Sequence, residues 1–275
     1  MRSQLLQSER LALVGRLLAS VEPPDHPQGW AHVFPTLQGG KEISGWMLNK
    51  GIVWASTPNG DRILFGEAVD SESEASRRHG RKGADKDAMR LYYAVYDLFP
   101  QSPMAGEALY RAADIKWQLD KYDVFSRPSA QQMDAGLRGE IEPDLMKEVM
   151  KKFPGTKWAD MAAFHLLDNK ICGDWQGLPK CPEKETEMYE KYADQHPQSP
   201  NAPEALYNAA WRQAALVQIY QTTNEGNKSN GAKQRATTLA QKVVSTYPQS
   251  DWAARAQDLI FKVDQGVAVW GNVVE

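Results

Sequence analysis

The sequence predicts a mainly α-helical protein, an α-solenoid of about four helical hairpins preceded by a small β-unit. Three observations predict it. A seven-residue phrase of the form aromatic-Pro-x-[Ser/Thr]-x-x-Ala starts at Phe99, Phe153, His196 and Tyr247, with His196 standing in for the aromatic in the third copy. The segments flanking each copy carry apolar residues at helical spacing. Residues 1–66 instead show short apolar runs separated by turn residues.

The phrase has a physical meaning. Proline lacks an N–H, clashes with the preceding turn and pushes the residue before it out of the helical region. Phe99, Phe153, His196 and Tyr247 should therefore each end a helix. Ser102, Thr156, Ser199 and Ser250 stand where an N-cap oxygen is needed. Pro103 and Pro200, which follow two of those serines, suit the first position of a helix. Asn201 with Glu204 offers an alternative capping box. Alanines three residues apart (Ala105 and Ala108, Ala159 and Ala162, Ala202 and Ala205, Ala253 and Ala256) then lie on one face, where small side chains let helix axes approach. Each phrase reads as the corner of a helical hairpin, so four corners predict eight helices.

Taken in order, the β-unit is expected at 1–69, from the segments Leu11–Ser20, Trp30–Phe34, Ile43–Leu48, Ile52–Ser56 and Arg62–Phe65, with Trp30, Trp46 and Trp54 as its core in the plainer reading. Residues 70–83 read as a charged linker, and the basic run Arg77, Arg78, Arg81 and Lys82 as a solvated stretch. Helical repeats fill 84–266. Before the first corner Ala88, Leu91, Tyr92, Val95 and Leu98 form a stripe, and after the last corner Trp252, Ala256, Leu259, Ile260 and Val263 do the same. Pro100, Pro154, Pro197 and Pro248 are unevenly spaced, with every gap longer than the ~34 residues of a tetratricopeptide hairpin. The excess falls at about 121–142, 171–182 and 221–231, inserts expected to project from one edge of the solenoid and to meet partners. The last insert is polar and rich in Gly and Asn, hence expected to be flexible. Residues 267–275 are an apolar tail, either a docking strand or an unfinished repeat.

Both cysteines, Cys172 and Cys181, lie in the middle insert. Gly173, Gly177 and Pro179 let the chain turn between them, so a local disulfide can close, and it would imply an oxidising compartment. Two reduced thiols in a cytosolic protein are the alternative. A metal site would need two more ligands, and only His165 is near, so no metal is expected. Trp175, inside this loop, is either packed or an exposed anchor, and packing fits a large aromatic better.

A formal net charge of −3 argues against nucleic acid as a partner. No apolar run is long enough to be a transmembrane segment. Arg16 interrupts the apolar stretch 11–19 and no small-residue cleavage site follows, so no signal peptide is read. Nucleophile-elbow, zinc-protease, phosphate-loop and dinucleotide motifs are absent, the five histidines are scattered, and Gly226-Asn227-Lys228-Ser229 lacks phosphate-loop spacing. Glu185 and Glu187 look like a solvated helix face. The expectation is that the protein is not an enzyme and needs no cofactor.

The stretches "FPQSPMAGEALY" and "HPQSPNAPEALY" resemble the tetratricopeptide-like repeats of bacterial envelope proteins, of the outer-membrane assembly lipoprotein and periplasmic cell-division coordinator types. The resemblance covers about 180 residues. The long inserts, the cysteine loop and the lack of a lipidation cysteine depart from those families. Gly29-Trp30-x-x-Val33 followed by Gly45-Trp46-Met47 is similar to the second half of a bacterial SH3-like barrel, and Arg2-Ser3 and Leu13–Leu17 to stretches of its first half. That alignment places the module's first strand before Met1, which would make the sequence a fragment or one with a mis-assigned start.

The resemblance implies a non-catalytic, periplasmic or cell-envelope scaffold that binds a protein or peptide partner on the solenoid's concave surface. First helices line that surface in such repeats, which makes Arg90, Tyr93 and Asp97, and then Lys184, Met188 and Lys191, candidate partner-binding residues, with Trp175 as a further anchor. Two other readings remain open: a peptidoglycan-binding accessory module of a cell-wall enzyme, and a cytosolic tetratricopeptide adaptor.

Overall fold

The computed structural model of the chain describes residues 9–13, 18–21, 30–35, 45–48 and 50–271. The protein is mainly helical and divides into two compact units, Met1–Leu119 and Asp120–Glu275.

Among the described residues, the first unit opens with five strands: β1 (Glu9–Leu13), β2 (Leu18–Val21), β3 (Trp30–Pro35), β4 (Gly45–Leu48) and β5 (Ile52–Trp54). They form one antiparallel sheet in the order β4-β3-β2-β1-β5, so the last strand returns to the edge of the first. Trp30 pairs with Leu48 across β3 and β4, and Trp46 stands two residues from Leu48 on the same face. These three side chains are 45%, 47% and 56% exposed. Trp30 and Trp46 are therefore not core residues. Among the described side chains of the sheet, Val53 reaches the core, where it packs with Leu64, Ala68, Leu91, Tyr92 and Val95.

The segment expected to be a fifth β run, Arg62–Phe65, is helical. It lies in α1 (Gly60–Ala75), which also takes in the first half of the expected 70–83 linker. Gly60, Leu64, Ala68 and Ser71 make a buried stripe at helical spacing. Pro58-Asn59-Gly60-Asp61 looks like a hairpin turn, but Asn59 is left-handed (φ 56°) and starts the helix instead. A Cβ on Gly60 would stand 2.5 Å from the Phe99 ring, so the close approach itself calls for glycine. Charge ties the following helices, α2 (Ala84–Leu98) and α3 (Ala105–Phe125), to α1. The Tyr92 hydroxyl donates to Glu72 (2.6 Å), and Arg111 donates to both groups while lying over the Phe65 and Tyr92 rings. Arg81, in the connection before α2, and Arg90, within α2, clamp the buried Asp87, each at 2.5 Å.

The second unit contains α4 (Ala135–Arg138), α5 (Asp144–Lys152), α6 (Lys157–His165), α7 (Lys180–Gln195), α8 (Ala202–Thr222), α9 (Gly226–Thr246) and α10 (Asp251–Asp264). One core runs through α7 to α10, built on Tyr189, Tyr192, Leu206, Leu239, Val243 and Leu259.

All four corners join two helices, as the prolines predict. Phe99, Phe153, His196 and Tyr247 share one backbone conformation, with φ of −127°, −127°, −128° and −127° and ψ of 58°, 51°, 54° and 54°. Each donates its N–H to the carbonyl four residues back and accepts the N–H of the Ser or Thr three residues on. All eight corner alanines are buried.

The corners differ at the helix start. Thr156 caps α6 through its side chain, which accepts from the Ala159 N–H at 3.4 Å. Ser250 occupies the same place before α10, and both hydroxyls donate back to the corner carbonyl (Phe153 or Tyr247), but Ser250 accepts no capping N–H. In the copies with a second proline the expected start at Pro103 and Pro200 is not found. The Ser102 and Ser199 hydroxyls accept from the Met104 and Asn201 N–H groups, a tight turn follows, and α3 and α8 begin only at Ala105 and Ala202. Asn201 and Glu204 meet side chain to side chain (3.3 Å) rather than as a capping box.

The insert expected to be flexible at 221–231 is almost wholly helical. Only Thr223–Glu225 separates α8 from α9. Ser229 donates to the Val217 carbonyl, and Ala232 packs with Leu216, Ile219 and Tyr220, which fixes the first turns of α9 while its Asn and Lys residues face outward. The described part of the tail docks on the second unit. Val269 enters its core, and the Gly271 carbonyl accepts from the Trp211 indole at 3.5 Å.

Candidate functional site

The most elaborated region of the second unit is the middle insert. Cys172 and Cys181 form a disulfide, with sulfur atoms 2.11 Å apart. Gln176 and Gly177, both left-handed (φ 53° and 70°), and Pro179 turn the chain back on itself. The loop does not project freely. Gly173 and Asp174 donate their N–H groups to the Gln132 and Gln131 carbonyls of the preceding insert. A Cβ on Gly173 would sit 2.2 Å from the Gln132 oxygen, so this backbone approach requires glycine. The two inserts thus bind each other.

Beneath the loop lies a buried carboxylate. Glu185, fully inaccessible, accepts from the Cys172 N–H (2.9 Å), the Trp175 indole (3.3 Å) and the Arg212 guanidinium (2.9 Å). Arg212 is itself buried and lies over the Tyr189 and Trp175 rings. A lone charge at such depth would be strongly disfavoured; paired and hydrogen-bonded it is tolerated. A second buried cation, Arg138 at the end of α4, donates to the Ile171 and Asp168 carbonyls and stacks on Phe125. Burial pulls its pKa down. Asn169 closes the seam by pairing with both backbone groups of Ile141. Burial likewise raises the Tyr189 hydroxyl and, on α8, the Glu204 carboxyl.

A cleft of about 240 Å³ opens beside the loop. Asp174, Trp175 and Gly177 form one wall, Ala215, Gln218, Ile219 and Thr222 of α8 the floor, and Val269, Trp270 and Gly271 the other wall. Trp270 is 63% exposed.

Of the candidate partner-binding residues, Arg90, Tyr93 and Asp97 belong to the first unit and Trp175, Lys184, Met188 and Lys191 to the second. Arg90 is exposed but paired with Asp87, and Tyr93 stacks edge-on against Tyr96 and is half-buried, as is Asp97. Lys184 and Lys191 are exposed on α7, whereas Met188 packs against the core. Trp175 is 3% exposed and is a packed wall, not a free anchor. Glu185, read as part of a solvated face, is the centre of the region, while Glu187 is exposed. The missed signal was periodic: Glu185 lies midway between Cys181 and Tyr189 on the buried stripe of α7. Both cysteine sulfurs are used in the disulfide, and among the described residues no group of three or more His, Cys, Asp or Glu is placed to hold a metal ion. No described helix is long and apolar enough to cross a membrane.

No protein-family model matches the sequence, and no curated protein matches it either.

Proposed function

We propose that the protein is a non-catalytic, tetratricopeptide-type scaffold of the bacterial cell envelope that binds segments of partner proteins on its helical surface. The observation that carries this reading is the identity of the four corners. One backbone conformation and one hydrogen-bond pattern recur at Phe99, Phe153, His196 and Tyr247, as expected of a repeated helical hairpin. The disulfide fits an oxidising compartment and supports placement outside the cytoplasm. Lys184 and Lys191, exposed about two helical turns apart on one side of α7, are the best remaining contacts of the expected set. Capture of native envelope partners by the wild-type protein should be weakened by K184A/K191A. Retention of every partner would remove this surface, and two reactive thiols in denatured, unreduced protein from its native compartment would remove the envelope placement.

A second reading, a module that recognises peptidoglycan, draws on a different observation. The sheet order β4-β3-β2-β1-β5 suits a small SH3-like barrel, and Trp30, Trp46 and Leu48 offer an exposed apolar face on which sugar rings could stack. Co-sedimentation with purified sacculi, lost in W30A/W46A, is the outcome this reading requires.

A further inference from the structure

The cleft beside the disulfide loop has a chemistry of its own. Two indoles face it, Trp175 in its inner wall and Trp270 at its rim. Gln218 and Thr222 add polar groups from α8, and the Thr222 hydroxyl spends its proton on the Ile219 carbonyl, which leaves its oxygen as an acceptor. Asp174 is the one charged side chain among the described lining residues, and it is exposed. Its Oδ1 accepts from the Gln176 N–H, which fixes the carboxylate at the mouth. Arg212, buried over the Trp175 ring, is neutralised by Glu185 and so does not repel a second positive charge.

Aromatic faces attract cations through their quadrupole, and a fixed carboxylate adds a directed partner. An anion would meet Asp174 and find no cation in the lining. A volume of about 240 Å³ admits one long side chain and excludes a folded element. We propose that this cleft receives a single cationic side chain, lysine or arginine, from a partner segment, its aliphatic stem against Trp270 and Ile219 and its charge at Asp174. The inference deepens the scaffold reading above by giving the chemistry of the segment it would bind.

The test uses the full-length oxidised protein and three blocked pentapeptides, Gly-Gly-Lys-Gly-Gly, its Arg counterpart and its Glu counterpart, with N-acetylglucosamine as a fourth probe. Binding is read from the indole N–H signals of Trp175 and Trp270 by NMR. The Lys and Arg peptides should shift both signals saturably at about millimolar concentration, and the Glu peptide should not. D174N keeps the Oδ1 acceptor of the turn and should weaken binding about tenfold with an unchanged melting temperature. W270A, at an exposed site, should weaken it further. Equal binding of the Glu peptide, preference for the sugar, or no saturable shift with the wild-type protein would each overturn the proposal. Those outcomes would leave the scaffold reading intact, because that reading depends on K184A/K191A capture and not on this cleft.

Discussion

The corners and the inserts of this protein are held together by different physics. At each corner the decisive interactions are local: a proline, a backbone turn, and N–H groups bonded three or four residues away. Four such sites with different side chains reach the same φ and ψ within a few degrees. The inserts depend on contacts between residues far apart in sequence. Asn169 bonds Ile141, Arg138 bonds Ile171, Glu185 bonds Arg212, and the Cys172–Cys181 bridge closes the loop above them. The difference teaches that the repeat supplies a tolerant frame, whereas the inserts form a single polar lock in which each member depends on the others.

The largest expected effect comes from breaking the lock at its centre. Glu185→Leu leaves Arg212 buried without its partner and strips the acceptor from Cys172 and Trp175; a loss of about 3–5 kcal/mol is expected in urea unfolding. Glu187→Leu, two residues away and exposed, should stay within about 0.5 kcal/mol, and similar losses for the two would erase the distinction between lock and surface. Replacing both cysteines by alanine should cost about 2–3 kcal/mol, the loop-closure entropy of so short a bridge. At the corners the effects should be smaller. Thr156→Ala removes a side-chain cap and should cost about 1 kcal/mol, while Ser250→Ala, with no such cap to lose, should cost less by the same chemical-denaturation assay. Equal costs would mean the corner serines and threonines act through something other than capping.

Glu204 gives the smallest effect and a pH signature. Burial raises its pKa, so the folded state prefers the protonated acid, and that preference is fully present below the ordinary glutamate pKa and lost as pH rises through the folded value. Glu204→Gln should therefore raise the melting temperature at pH 7 and leave it nearly unchanged at pH 4. A gain of equal size at both values would contradict the burial argument.

What could be read from the sequence follows the same division. The corners and the eight helices beside them were legible because proline acts on its immediate neighbours. The disulfide was legible as one of several outcomes because the two cysteines share one short loop. By contrast, α1 was hidden: Asn59-Gly60 has hairpin chemistry, and only packing of Leu64 and Ala68 against Val53, Leu91 and Tyr92 decides for a helix. The order at 221–231 was hidden because Ser229 gains its partner, the Val217 carbonyl, only when α8 and α9 meet. Glu185 was hidden because its partner Arg212 is on another helix, and its place on the stripe of α7 was the only local clue.

The measurement that bears most directly on this account is hydrogen exchange across the second unit in the Cys172→Ala/Cys181→Ala double variant. If the inserts form one lock on a separately stabilised frame, amides at 128–142 and 169–182 should lose protection together, while those of α8 and α9 keep theirs. Loss confined to the cysteine loop alone, or uniform loss through α8 and α9, would contradict it.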